Sequence, residues 1–292
     1  SIKATALHMI GDLLTSEGST FASDNDPELV KAAVPFSLKP MASLLAESPR
    51  HKGLLLSAAR GFAQYSYAFV QQEADQLEDQ DVDAAFATRA RAKRLYLRAR
   101  DYGLRGLEVN HRGFSKMLRE HPRAAVRVTR IADVPLLYWT AVAWAAAVSQ
   151  AKDDPPLSGD LPMVQALIDR AFELDENFDH GAIHTFLMTY EMSSRRHPDP
   201  LARARRHFTR AMALGGDQQA GPLVAWAETV VLPDQDRVAF ERLLHRALAI
   251  NVDAKPQWRL INLIHQRRAQ WLLSQADALF LPLLVPDQET ER

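Results

Sequence analysis

The uniformly apolar stretch VPLLYWTAVAWAAAVS, residues 134–149, constrains the fold of this chain more than any other feature. Thr140 is its only polar side chain before Ser149, so a helix of this sequence has no polar face to turn toward water. The stretch is also shorter than the roughly 20 apolar residues that a bilayer span needs. We therefore predict the buried central helix of an all-α protein, packed on every side by other helices.

The composition agrees with a helical fold. The chain has 292 residues, of which 47% are hydrophobic, and this is enough for one large core or two modest ones. Only 12 residues are Gly, and most lie at breaks between helical stretches. The net charge of −1 lacks the basic excess of a nucleic-acid binder, so we expect no nucleic-acid partner. The sequence has no Cys, which excludes disulfides and thiolate metal sites within it.

Hydrophobic periodicity and turn residues divide the chain into helices. We predict one helical domain, residues 1–292, with possible lobes 1–151 and 162–280, a loop between them and a tail at 281–292. Pro35 is expected to separate two short helices, 27–34 and 37–47, and no stretch is expected to reach transmembrane length. The predicted helices lie near 4–14, 27–34, 37–47, 51–78, 81–109, 113–119, 122–129, 134–149, 162–174, 179–192, 199–214, 219–231, 234–249 and 256–273.

Four helix ends look alike and indicate an internal repeat. Each has a small residue, then Leu or Ile, then a polar turn, and the small residues are Gly106, Ala171, Ala211 and Ala247. Their offsets are 65, 40 and 36, close to two, one and one tetratricopeptide units. We predict a tetratricopeptide-like array of helical hairpins, two lobes around the buried central helix. The full repeat signature is absent, and any Ala- and Leu-rich helix that ends in polar residues would look similar.

Motifs for bond chemistry are missing from the sequence. It has neither a glycine-rich phosphate loop with its Lys nor a Gly-x-Ser-x-Gly nucleophile elbow. His180, His184 and Glu191 fall on one predicted helix face and would suit a metal, but two histidines packed at a helix start explain the pattern more simply. We therefore expect no cofactor, no metal and no enzymatic activity.

Two helices concentrate arginine, a residue that can clamp carboxylate or phosphate with its planar guanidinium. The simpler interpretation is exposed faces and ion pairs with the acidic stretch 73–83, which a hairpin would bring close. The basic residues are Arg89, Arg91, Lys93, Arg94, Arg98, Arg100 and Arg105 on one helix, and Arg195, Arg196, Arg203, Arg205, Arg206 and Arg210 on the other.

The aromatic residues are candidates for a binding cavity. Most belong to an ordinary core, but a helical core rich in Ala and aromatics can also enclose a cavity or channel. We predict that four of them face such a space, namely Tyr65, Tyr138, Trp139 and Trp144.

Several segments together resemble the T component of TRAP transporters, the tripartite ATP-independent solute uptake systems. The resemblance runs in order from about residue 4 to residue 280, and "VPLLYW" and "FDHGAIHT" are its most specific parts. None of these segments is a catalytic motif. The segments are 54–75, 89–108, 134–149, 178–191 and 235–250.

The resemblance implies a periplasmic, tetratricopeptide-like helical protein, lipid-anchored through an N-terminal Cys after which the printed sequence would begin. It also implies a homotrimer with a channel through each protomer. The periplasmic solute-binding component would dock over that channel, and a small molecule, for which a hydrophobic ligand is a candidate, would pass between them. The alternative is a helical-repeat scaffold that binds peptide or protein partners and takes no small-molecule ligand.

Overall fold

The computed structural model describes residues 21–281 apart from 152–153 and 195–196. Within these residues the secondary structure is α-helix with a few π-helical and 3-10 turns, and it includes no strand. The predicted all-α class is therefore confirmed. The predicted helix at 4–14 and the tail from residue 282 onward lie outside the described residues.

The chain divides into two compact units, Ser1–Phe186 and Leu187–Arg292. The division falls within a helix, at a later point than the loop that we expected to separate the lobes 1–151 and 162–280. That lobe boundary stays a prediction.

The first unit contains the long helices and the apolar central one. A π-helical segment, Ser66–Gln71, joins its second and third helices, and 3-10 turns at Val126–Val128 and Ile131–Asp133 precede the central helix. Its helices are α1 (Pro27–Glu47), α2 (Lys52–Tyr65), α3 (Gln72–Leu77), α4 (Val82–Asn110), α5 (Phe114–Glu120), α6 (Pro122–Ala125), α7 (Val134–Ser149), α8 (Pro155–Ser158), α9 (Leu161–Leu174) and the start of α10 (Phe178–Ser194).

The second unit begins within α10 and has its own apolar core. Trp226 stacks near Phe208 with 4.9 Å between ring centroids, and the rings of Phe240 and Phe280 meet edge to face at 5.1 Å. Its further elements are α11 (Pro200–Leu214), α12 (Ala220–Trp226), a π-helical segment (Ala227–Val231), α13 (Arg237–Leu248), a 3-10 turn (Pro256–Trp258), α14 (Arg259–Ser274) and α15 (Ala276–Leu279).

Helix α1 corrects the predicted break at Pro35. Asp26 caps its start, since its Oδ1 accepts from the backbone N–H groups of Glu28 and Leu29 at 3.0 Å. The helix then continues through Pro35 and Pro40, so the prediction of two short helices is wrong. Both prolines are exposed, and a carbonyl that loses its N–H donor there can bond to water instead.

Helix α7 has the predicted bounds and is the buried centre of the first unit. Leu137, Ala141 and Ala147 are fully buried in it. With the preceding 3-10 turn, its apolar run reaches 19 residues, so Ile131–Ser149 has the length and composition of a membrane span. Pro27–Glu47 passes the same test, and the expectation that no stretch would do so is wrong. Because 56% of the Ile131–Ser149 window is buried inside the fold, this segment has the surroundings of a core helix.

Two glycines let α4 approach α7 closely. A Cβ added to Gly103 would lie 2.1 Å from the Thr140 hydroxyl oxygen, and one added to Gly106 would lie 2.6 Å from Leu136 Cδ2. The Thr140 hydroxyl donates back to the Leu136 carbonyl at 2.5 Å, so burying it leaves no unsatisfied donor. The small residues of α4 therefore position it directly against the central helix.

The small residues of the proposed repeat all lie near the ends of their helices. Gly106, Ala171, Ala211 and Ala247 are all buried and lie within the last turns of α4, α9, α11 and α13. This is the burial that a stacked array needs at a close helix contact. The tetratricopeptide-like arrangement itself stays a prediction.

Candidate functional site

Two of the four predicted cavity residues meet on α7. The rings of Tyr138 and Trp139 are T-shaped with 5.0 Å between centroids, and Phe178 lies 5.2 Å from Tyr138. Burial, and to a lesser extent the carboxylate of Asp179, raises the pKa of the Tyr138 hydroxyl. The phenol therefore stays protonated at any physiological pH and can donate a hydrogen bond within an apolar surrounding.

Trp144 lies further along α7 with polar groups at both its edge and its face. Its indole Nε1 donates to Asp160 Oδ2 at 3.0 Å, and the guanidinium carbon of Arg100 lies 5.0 Å from its ring centroid. The bond to Asp160 ties α7 to the residue that precedes α9. This side chain is 4% exposed, so it combines a buried ring with a satisfied N–H.

Tyr65 ends α2 and has different neighbours. Its ring centroid lies 5.7 Å from that of Phe69, and the guanidinium of Arg91 lies 5.8 Å from it. Among the residues that the structure describes, no ring contact joins Tyr65 or Trp144 to the pair formed by Tyr138 and Trp139. That these four residues line a common passage stays a prediction.

The π-helical segment after α2 is fixed by a buried tyrosine. The Tyr96 hydroxyl donates to Gln71 Oε1 at 2.6 Å. Burial, followed by Tyr67 and Asp75, raises the pKa of Tyr96 well above its ordinary value, so this donor is also permanent. This hydrogen bond fixes the turn between α2 and α3 against α4.

The basic residues of α4 separate into paired and unpaired groups. Arg89 forms ion pairs with Asp75 and Glu78, as the predicted hairpin required, and Lys93 lies 2.7 Å from Asp154. On the other side of the helix runs a shallow open groove of about 340 Å³. Its lining residues are Arg94, Leu97, Arg98, Asp101, Tyr102 and Arg105.

Three arginines on this side lie over aromatic rings. The guanidinium of Arg98 is 5.3 Å from the Phe62 ring centroid, and that of Arg105 is 5.4 Å from Tyr102. The rings of Phe62 and Tyr102 stack on each other at 5.7 Å. Arg91 likewise lies over the ring of Tyr65, so each of the three arginines spaced by seven residues covers an aromatic ring. We call Arg91, Arg94, Arg98 and Arg105 the α4 arginine stripe.

The comparison with known proteins assigns the family. The sequence profile described as TRAP transporter T-component matches residues 23–280. The chain belongs to this family. This T-component is also 28% identical over 268 residues to an uncharacterized protein of Treponema pallidum (strain Nichols). That similarity covers 89% of this chain and 82% of the relative. The family is an accessory family of solute transporters.

In this T-component the histidine pair does not have the geometry that its spacing indicated. Asp179 and His180 have left-handed backbone angles, with φ of 44° and 53°, so α10 is kinked at its start. His180 therefore does not stand one regular turn from His184, and the prediction of a shared face is wrong at this point. His184 is buried against the Phe172 ring at 5.4 Å.

The third residue of the metal hypothesis has a cationic partner. Glu191 is fully buried, and its Oε1 accepts from Arg203 Nε at 3.1 Å. His197 Nε2 lies 3.7 Å from the same oxygen. Among the described residues of the T-component, no group of three His, Cys, Asp or Glu side chains is arranged to hold a metal ion.

The functional candidate that sequence reasoning missed is the α4 arginine stripe as a distinct surface. The simpler interpretation of these basic positions, as exposed faces and ion pairs with the acidic stretch 73–83, does not single out a separate row of arginines. A spacing of seven residues between Arg91, Arg98 and Arg105 would have separated them from Arg89 and Lys93 on a helical projection. The rings beneath two of them come from α2, and that pairing depends on the three-dimensional contact.

Proposed function

We propose that this T-component is the periplasmic accessory subunit of a TRAP-type solute uptake system and that it binds the periplasmic solute-binding component. The observation that carries the proposal is the family match along residues 23–280, which covers nearly all of the described chain. Its action is binding and passage of solute without any bond chemistry. Solute would then pass through this protein on its way from the solute-binding component to the membrane subunits of the transporter.

We further propose that a small molecule with a hydrophobic body passes through the first unit. The support is chemical: Tyr138 and Trp139 present an aromatic corner with a protonated phenol, and Trp144 adds a large ring beside them in sequence. Aromatic surface with one or two polar donors is typical of sites for small apolar ligands. Tyr65 is the fourth proposed lining residue.

The family also supports an assembly and a location for the protein. We propose a homotrimer with one channel in each protomer, held at a periplasmic membrane face by a lipid on an N-terminal Cys outside the printed sequence. In this arrangement the solute-binding component docks over each channel opening. Every protomer would then need its own partner surface.

Co-purification from the native host tests the accessory role. A tagged copy of the full chain is isolated from periplasmic extract, and the solute-binding component of the host's TRAP system is quantified by mass spectrometry. We expect enrichment over a capture with a tagged periplasmic protein of another uptake system. Equal recovery in the two captures would contradict the proposed partner.

Mass spectrometry of small molecules released from the unheated protein tests ligand passage. We expect a ligand in near-stoichiometric amount from the wild type and several-fold less from Trp144→Ala. Trp226→Ala, in the second unit, is the matched control, because Trp226 is also buried, at 8% exposed, and removing a buried tryptophan costs about 3–5 kcal/mol of stability. If Trp144→Ala lowers the melting temperature and leaves the ligand content unchanged, Trp144 is a core residue only.

A further inference from the structure

We infer that the α4 arginine stripe is a docking surface for an acidic segment of a partner protein. The four arginines stand at positions 91, 94, 98 and 105, so they follow one side of the helix, and all four are exposed. At 1.5 Å per residue the row is about 21 Å long. The chain thus presents a straight line of four guanidinium groups along the outside of α4.

In the part of the chain that the structure describes, no carboxylate neutralises the stripe. Asp101 lies on the same side, but Arg100 already binds it, with Nη2 2.8 Å from Oδ1. Within the described residues no carboxylate forms an ion pair with any of the four stripe arginines. Arg89 and Lys93, on the opposite side of α4, both have such partners. In a chain of net charge −1, this face therefore keeps an uncompensated local positive charge.

Buried and partly buried aromatic rings hold three of the arginines in place before any partner arrives. The side chains at 91, 98 and 105 each cover an aromatic ring at 5.3–5.8 Å. Arg105 is held a second time, because its Nη2 donates to the carbonyl of Pro49 at 3.2 Å. Such contacts reduce the side-chain freedom that binding would otherwise remove. Arginine and tyrosine are also among the residue types enriched at the hot spots of protein interfaces.

The dimensions and charge favour a protein as the occupant. A row of about 21 Å is longer than a small organic anion. It matches an acidic helix of up to about four turns, or an acidic loop of the same length. The net charge of −1 gives no general attraction to nucleic acid.

A second copy of this chain fits the stripe less well. Its acidic turn at 78–83 is partly committed, since Glu78 binds Arg89 at 2.7 Å and Asp81 caps α4 through the N–H of Ala84 at 3.0 Å, which leaves Asp79 and Asp83 as its exposed carboxylates. A row of four arginines is better matched by a different protein that presents more free carboxylates than this turn does. Resting on the proposed function, we identify it as the solute-binding component of the same transporter.

Biolayer interferometry with the purified solute-binding component tests this surface. We expect R94E/R98E to weaken binding by at least about tenfold, mainly through slower association, and to flatten its dependence on salt. R112E/R119E is the matched control, because it reverses two exposed arginines in the same unit and changes the net charge by the same amount. The control should stay within about twofold of the wild type. Circular dichroism checks that each variant is folded, and the single variant R94E replaces the double one if that does not fold.

The outcomes separate the two proposals. If the wild type fails to bind the solute-binding component, the proposed function falls. If the wild type binds and both double variants bind equally well, the proposed function stands and the arginine stripe is excluded as the docking surface. If R94E/R98E instead changes the sedimentation mass of the chain alone, the occupant is a second copy. If R94E/R98E loses only the binding to anionic phospholipid vesicles, the occupant is a membrane. Each of these last two results, a changed sedimentation mass or a loss of vesicle binding alone, overturns the inference.

Discussion

At the scale of single residues, one buried carboxylate joins the end of α4 to the start of α7. Asp133 Oδ1 accepts from Asn110 Nδ2 at 2.9 Å, while Oδ2 accepts from the Arg130 backbone N–H at 3.0 Å and lies 2.9 Å from His111 Nε2. Burial alone would raise the pKa of Asp133, but the hydrogen bonds from Arg130, His111 and Asn110 outweigh it and lower the pKa. The ionised form is therefore the one that the fold stabilises.

Replacing Asp133 with Asn should lower the free energy of unfolding by about 1–3 kcal/mol at neutral pH, because buried partners lose an acceptor. A folded-state pKa below the unfolded value of about 3.9 means that this stabilisation is complete above that pH and is lost as pH falls through the folded pKa. In urea unfolding, we expect the difference in unfolding free energy between the wild type and Asp133→Asn to narrow below about pH 4. The same difference for the exposed control Asp79→Asn should not narrow in this way. A gap that stays constant down to pH 2 would contradict this role for Asp133.

A glycine sets the distance between α4 and the central helix. Gly103→Ala should destabilise the protein by about 1–3 kcal/mol, because the new methyl group would overlap the Thr140 hydroxyl, and the better helix propensity of Ala offsets only about 1 kcal/mol. Thr140→Ala removes the closest contact, so the double variant should recover part of the loss. Thermal unfolding of the four proteins measures this coupling, and strictly additive effects would show that the helices do not touch at Gly103.

At the scale of helices, α14 organises the second unit with two side-chain amides. Asn262 accepts from the Ala220 N–H at the start of α12 at 2.9 Å and donates to the carbonyl of Gln218 at 2.9 Å. The Gln266 amide nitrogen lies 2.9–3.2 Å from three carbonyls at the end of α13, those of Ala247, Leu248 and Ile250. One helix thus satisfies the unpaired ends of its two neighbours.

Gln266→Glu should destabilise the protein by about 1–3 kcal/mol, because it removes the donor and places a negative charge against the carbonyl end of α13. Gln270→Glu makes the same change at an exposed position of α14 and should have little effect. Chemical denaturation monitored by circular dichroism compares the two variants. Equal losses would show that the Gln266 contacts contribute nothing particular to stability.

Element positions were predictable from the sequence where one side chain type dominated. The apolar run of α7 gave its bounds. The predicted helix break at Pro35 was wrong, because the sequence alone does not show whether the carbonyl left unpaired by a proline reaches water. The kink at Asp179 and His180 was equally hidden, since neither residue type requires left-handed angles.

At the scale of the whole molecule, the sequence predicted the family and the all-α class but little of the candidate surface. All five segments that carried the resemblance lie within the matched region, residues 23–280. Surface chemistry depends on which exposed charges remain unpaired after folding, and this is decided by contacts between helices that are distant in sequence. Arg89 and Arg91 differ by two positions, yet one has acidic partners and the other covers a ring.

The central claim, that this T-component is a binding subunit for the solute-binding component, is tested most directly by calorimetric titration of the two purified proteins. We predict saturable binding that weakens as salt is raised from about 50 to 500 mM, because charge complementarity contributes to the complex. The solute-binding protein of an unrelated uptake system should give no heat of binding. Absence of binding with the cognate component at concentrations of about 100 µM and low salt would contradict the account.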